Sequence, residues 1–122
     1  MDRWGPDDDG EVDVGYLGEF EQLILFSVLE LGDGAYGVAI RETIEDRTGR
    51  TVSSGAIYTA LGRLEDRGMV RSRTGEPDGT AGRPRKYYLL RREGARALKE
   101  SYRTIQSMAD GLLPKLTELA EG

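Results

Sequence analysis

The sequence predicts a mainly α-helical chain with one small β-hairpin, an α+β arrangement, and three observations lead there. Apolar residues recur at helical spacing in segments 17–31, 36–47 and 53–67. One pair of strand-like runs, 69–74 and 86–90, brackets the turn-rich stretch Glu76-Pro77-Asp78-Gly79-Thr80-Ala81-Gly82. The C-terminal segment then carries an unbroken heptad seam. A chain of 122 residues is one domain by length, and its core is small enough that pairing with a second copy would help to stabilise it.

Residues 1–15, with Asp7-Asp8-Asp9-Gly10-Glu11-Val12-Asp13, hold too little apolar side chain for a core, so a mobile acidic tail is expected. The Asp triplet lacks the alternating ligands, the placed glycine and the closing glutamate of a calcium loop. In 17–31, Leu17, Phe20, Leu23, Ile24, Leu25, Phe26, Val28, Leu29 and Leu31 wrap most of a helix circumference. Such a helix needs cover on more than one side: the domain core takes one, and a partner subunit the other.

Gly32-Asp33-Gly34-Ala35-Tyr36-Gly37 matches the dinucleotide fingerprint G-x-G-x-x-G in form. That fingerprint needs a strand before it and a returning parallel strand with an acid after it. Here a helix precedes it, so a turn between helices is expected, with Tyr36 opening the second. In that second helix, 36–47, Val38, Ile40 and Ile44 alternate with Arg41, Glu42, Glu45 and Asp46, and Gly49 ends it.

The third helix, 53–67, has legible ends. Ser53 or Ser54 supplies the N-cap and Gly68 the left-handed residue beyond the C-terminus. Ile57, Ala60, Leu61 and Leu64 share the buried face, which leaves Ser54, Ala56, Tyr58, Thr59 and Arg63 outward. A helix, a short turn through Gly49-Arg50-Thr51-Val52 and this helix make a helix-turn-helix, whose second helix enters a DNA groove. Arg71, Arg73, Arg83, Arg85 and Lys86 cluster on the hairpin behind it, where guanidinium groups fork onto phosphates or enter a minor groove.

In the C-terminal segment, Leu98, Tyr102, Ile105, Ala109, Leu112, Leu116 and Leu119 are separated by 4, 3, 4, 3, 4 and 3 residues. This stripe suits a helix-to-helix partner, with packing back onto residues 17–31 of the same chain as the alternative. Pro114 removes an amide and clashes one turn back, so a break near 111–114 is expected.

Helix, Ala56-Ile57-Tyr58, Leu61-Gly62-Arg63-Leu64-Glu65-Asp66-Arg67-Gly68, the basic Gly82-Arg83-Pro84-Arg85-Lys86-Tyr87-Tyr88 hairpin and a long final helix, in that order, resemble the PadR family of winged helix-turn-helix transcriptional regulators. The resemblance runs from Leu17 to nearly the end. It implies a homodimeric repressor of double-stranded DNA in which the first helix packs with the C-terminal helix of the dimer. It also implies that Tyr36, Tyr58, Gly82, Arg83, Pro84, Arg85 and Lys86 lie at or near DNA, and that a small planar or phenolic effector relieves repression, although the C-terminal segment is short for the family.

Together these readings divide the chain into an acidic tail (1–15), a DNA-binding domain (16–90) and a dimerisation helix (91–120). The residues expected at DNA are Tyr36, Ser53, Ser54, Ala56, Tyr58, Thr59, Arg63, Arg73, Gly82, Arg83, Pro84, Arg85 and Lys86. Those expected at the dimer interface are Leu17, Phe20, Ile24, Leu98, Tyr102, Ile105, Ala109, Leu112, Leu116 and Leu119. Trp4, Phe20, Tyr102 and Met108 are candidates to line a small apolar or aromatic effector site between the dimer helices, with plain interface core as their alternative role.

Composition narrows the chemistry. With no cysteine and no histidine, disulfides, thiolate or imidazole catalysis and the usual zinc sites are unavailable, and neither an enzyme nor a cofactor is expected. No apolar run approaches the roughly 20 residues of a membrane span, and the N-terminus is acidic where a signal peptide is basic, so a cytoplasmic location without membrane contact is expected. The net charge of −5 is unfavourable for a DNA binder. Charge is nevertheless segregated: residues 1–22 hold eight acids against Arg3, whereas residues 50–103 hold thirteen bases against six acids. Opposite charge on tail and wing leads to the expectation that the tail competes weakly with DNA. The overall acidity motivates one alternative, a winged-helix module that binds protein and not DNA.

Overall fold

Helix α1 (Glu19–Leu31) starts from Gly18 in extended backbone, and the Gly18 N–H donates to the Glu21 carboxylate at 2.9 Å, one half of a capping box. The computed structural model describes Trp4, residues 16–77 and residues 84–122. A 3-10 turn (Gly32–Gly34) leads to α2 (Gly37–Thr48), then α3 (Ser54–Asp66), the antiparallel strands β1 (Val70–Pro77) and β2 (Pro84–Leu90), α4 (Arg92–Ala109) and α5 (Leu113–Glu121). The glycine-rich segment is therefore a helix-to-helix turn, as its flanks required.

Helices α1, α2 and α3 enclose one core with the base of the hairpin. Its members include Leu17, Ile24, Leu25, Val28, Ile40, Ile44, Ile57, Leu61, Leu64, Met69, Val70 and Tyr88. The strands pair from Val70 with Leu90 to Thr74 with Lys86, and the register shifts before Pro77 meets Pro84. A third, minimal strand lies beside β2: Tyr36 bridges Tyr87, and the Tyr88 N–H donates to the Ala35 carbonyl at 2.8 Å. That bridge ties the start of α2 to the wing.

Alternation along the hairpin sorts its side chains onto two faces. Val70, Ser72, Tyr88 and Leu90 point toward α3 and the core, with Val70 and Tyr88 buried. Arg71, Arg73, Arg85 and Tyr87 occupy the outer face.

The chain turns sharply after α3. Gly68 has φ +78°, the left-handed conformation expected of it, and the Met69 N–H donates back to the Leu64 carbonyl at 2.9 Å. The Met69 carbonyl accepts from Arg91 N–H at 3.0 Å, and the buried Arg91 guanidinium donates to the Gly68 carbonyl at 3.2 Å. Helix α4 then passes so close that a Cβ on Gly94 would lie 2.2 Å from the Met69 oxygen.

Three sequence expectations are corrected here. Leu17, Ile24 and Leu98 are 1%, 0% and 3% exposed within the chain's own core, so they offer nothing to a partner. Phe20 is partly buried against the same core. The outward apolar residues of α1 are instead Phe26 and Leu29, and Phe26 meets Tyr102 of α4 edge to face at 6.2 Å. The rest of the seam, Tyr102, Ile105, Ala109, Leu112, Leu116 and Leu119, is exposed, with Tyr102 half covered by Phe26. The expected break falls at Gly111, φ +75°, and Pro114 sits in the first turn of α5, where its missing amide is harmless. Trp4 is buried, and the remainder of segment 1–15 lies outside the described residues.

Close packing at Gly94 and open space at Gly62 give opposite expectations for one substitution. Gly94→Ala loses about 1–3 kcal/mol because backbone must move, whereas Gly62→Ala, whose Cβ meets nothing within 4 Å, gains up to about 1 kcal/mol of helix propensity. Urea midpoints of the two variants should shift in opposite directions.

Candidate nucleic-acid interface

Helix α3 presents the face that its periodicity predicts. Ile57, Ala60, Leu61 and Leu64 are buried against α1 and α2, each larger side chain contributing on the order of 1.5–3 kcal/mol. Ser54, Gly55, Ala56, Tyr58, Thr59, Gly62 and Arg63 are exposed. Small side chains dominate the N-terminal half, so the backbone can approach a groove closely.

Ser53 is the N-cap: its Oγ accepts from the Ala56 N–H at 3.1 Å. Ser54 Oγ accepts from Arg41 of α2 at 3.1 Å, which fixes a cation beside the start of α3. The turn between the helices is held by Val52 N–H donating to Glu45 at 3.1 Å. Tyr58 is half exposed and lies across the first turn of α2, where a Cβ on Gly37 would come within 2.4 Å of its hydroxyl oxygen. A side chain at position 37 would displace that ring from its seat.

Beside α3, the outer face of the wing carries alternating guanidinium groups and rings. Arg85 lies 4.4 Å from the Tyr36 ring centre, Tyr36 meets Tyr87 edge to face at 5.7 Å, and Arg73 lies 4.6 Å from the Tyr87 ring. Arg73 is also 5.1 Å from the Trp4 ring. Lys86, exposed on the other face, stands 3.5 Å from Glu65 of α3 and 5.7 Å from the Tyr88 ring. Glu65 also accepts from Ser72, so one carboxylate links α3 to both strands. Burial, with Glu65 and Tyr58 adding to it, pushes the Tyr88 phenol above its ordinary range.

The structure thus brings together Tyr36, Ser53, Ser54, Ala56, Tyr58, Thr59, Arg63, Arg73, Pro84, Arg85 and Lys86 along α3, the start of α2 and the wing. Gly82 and Arg83 lie outside the described residues. Sequence reasoning missed the ring platform: Tyr87 is the centre of the stack, and Trp4 lies against the wing residues Arg71 and Arg73. Among the described residues, no cluster of carboxylates could hold a metal ion.

Arg47, Arg50 and Arg67 are paired with acids of α1. Arg47 meets Glu30 at 2.7 Å and Arg50 meets Glu19 at 2.7 Å. The hydrogen bond from Arg50, reinforced by its charge, holds the Glu19 carboxyl below the usual carboxylate range and raises Arg50 in turn. Arg67 donates to Glu21 at 3.1 Å and to the Tyr16 carbonyl at 2.9 Å, stapling the end of α3 to the start of α1.

A model of the family described as "Transcriptional regulator PadR-like family" matches residues 25–100. No curated protein matches the chain. Among solved structures, a PadR family transcriptional regulator from Eggerthella lenta is 28% identical, with a TM-score of 0.64 over 80% of this chain and 86% of that one. A PadR family transcription regulator from Clostridium difficile is 29% identical, with a TM-score of 0.60 over 77% and 98%. F93 from STIV, a winged-helix DNA-binding protein, shares the fold at 21% identity, with a TM-score of 0.64 over 80% and 98%.

The Ser53 cap has a measurable consequence. Ser53→Ala should lower stability by about 1 kcal/mol in urea titration, and Ser53→Asp should retain it, since aspartate accepts the same amide hydrogen bond.

Proposed function

This chain belongs to the PadR-like family of transcriptional regulators, a non-enzymatic DNA-binding class, and on that premise we propose that it is a homodimeric repressor that reads an inverted-repeat operator. The observation that carries the proposal is the exposed, small-residue face of α3 set directly beside a wing of guanidinium groups and rings. Ser54, Ala56, Tyr58, Thr59 and Arg63 face the major groove or its phosphates, and Arg85 and Lys86 contact backbone or minor groove. Arg73 and Tyr36 join them from the ring platform, and Arg83 and Gly82 complete the wing in the sequence.

Dimerisation rests on the unpartnered stem. Ile105, Met108, Leu113 and Leu116 are each more than half exposed, a contiguous apolar surface of the kind that marks an interface. A two-fold pair presents two recognition helices about one DNA turn apart, which an inverted repeat matches. A small apolar or aromatic effector would bind beside this interface, where Tyr102 and Met108 of the stem are exposed. Among the described residues no helix is long and apolar enough to cross a membrane.

Two substitutions separate positioning from reading. Arg85→Ala should weaken binding to every duplex and flatten its salt dependence by about one ion per subunit. Thr59→Ala should change sequence preference, and equal losses on specific and random duplexes would remove Thr59 from the reading face. For the dimer, Ile105→Asp should weaken self-association on the order of a hundredfold in sedimentation velocity, and an unaltered profile would contradict the stem as interface.

A further inference from the structure

Trp4 is buried, at 8% exposure, although the segment around it has no composition for a core. Its indole N–H donates to Asp33 at 3.3 Å, and its carbonyl accepts from the Arg71 guanidinium. Arg71 and Arg73 lie 6.0 Å and 5.1 Å from the ring centre. Arg73 therefore lies against two rings, Trp4 and Tyr87, and its buried Nε meets no acceptor among the described residues. A guanidinium in that position has exchanged water for two π faces and directs few N–H groups outward.

We propose that Trp4 is an intramolecular latch on the wing: seated against Arg71, Arg73 and Asp33, it withholds Arg73 from phosphate, and its release accompanies DNA binding. The proposal rests on the DNA-binding reading above. The inner face of the hairpin closes the core through Val70 and Tyr88, and Trp4 sits on the outer face. The sequence after Trp4 carries Asp7, Asp8, Asp9, Glu11 and Asp13. Docking Trp4 thus couples a run of charge of the same sign as phosphate covalently to the wing, and both effects oppose DNA. DNA binds the released state better because Arg71 and Arg73 then reach phosphate, and the docked fraction lowers apparent affinity in proportion. Contacts of this strength correspond to a reduction on the order of fivefold.

Trp4 is the chain's only tryptophan, so the wild-type protein reports on its own latch. The full-length protein is titrated with a labelled duplex from its own upstream region and with a scrambled one, at low salt, while anisotropy, tryptophan emission and acrylamide quenching are read together. Free protein should show blue-shifted, quencher-shielded emission that becomes red-shifted and accessible with the same midpoint as the anisotropy. Trp4→Ala should bind both duplexes on the order of fivefold tighter, with Trp4→Phe, which keeps a ring but no N–H, in between. Emission of a solvated indole in the free protein overturns the seat. Unchanged emission on DNA, or equal or weaker binding by Trp4→Ala, overturns the latch and leaves DNA binding intact. Failure of both wild type and Trp4→Ala to bind either duplex overturns the DNA-binding reading and the latch together.

Discussion

Where α3 ends, one left-handed glycine and one backbone carbonyl set the direction of everything after them. Gly68 reverses the chain, and the Met69 carbonyl receives the Arg91 N–H at 3.0 Å as α4 begins. Arg91 reaches back to the Gly68 carbonyl, and Gly94 gives α4 room to pass the same oxygen. Recognition helix, wing and stem therefore leave from one junction. Arg67, one residue earlier, is bound to Glu21 and Tyr16, so that junction is also tied to α1. A side chain at position 94 would push the stem and the hairpin apart.

Pairing reconciles a net charge of −5 with a nucleic-acid interface. Acids of α1 neutralise Arg47 and Arg50 on the side of the domain away from the wing. Wing guanidinium groups also lie against tyrosine rings, which help to hold them in place. A protein arranged this way depends on close contact for affinity more than on distant attraction.

Much of this was legible in the sequence because its signals are local. The Ser53 cap, the four buried positions of α3, Gly68, the hairpin and the break before Pro114 each depend on residues within a turn or two of one another. What failed required knowledge of partners. Helix α1 is apolar almost all round, so spacing alone does not say that Leu17 and Ile24 face inward while Phe26 and Leu29 face out. Leu98 continues the seam in perfect register yet lies inside the domain, because the seam crosses from core to open stem between Leu98 and Tyr102 without any change in pattern. Gly94 looks like an ordinary helix residue until the Met69 carbonyl is placed above it. Trp4 was visible only as a lone aromatic in an acidic run, and its seat is built from Asp33, Arg71 and Arg73, which are distant in the chain.

The central claim is that α3 and the wing together bind DNA selectively. The most direct test is equilibrium binding of the full-length protein to its own upstream duplex and to a scrambled duplex of equal composition, across a salt series. Selective binding to the upstream duplex, with log affinity falling steeply and linearly with log salt, is the result the geometry predicts. Folded, dimeric protein that binds neither duplex at any salt concentration would contradict it and would favour a winged-helix module whose partner is another protein.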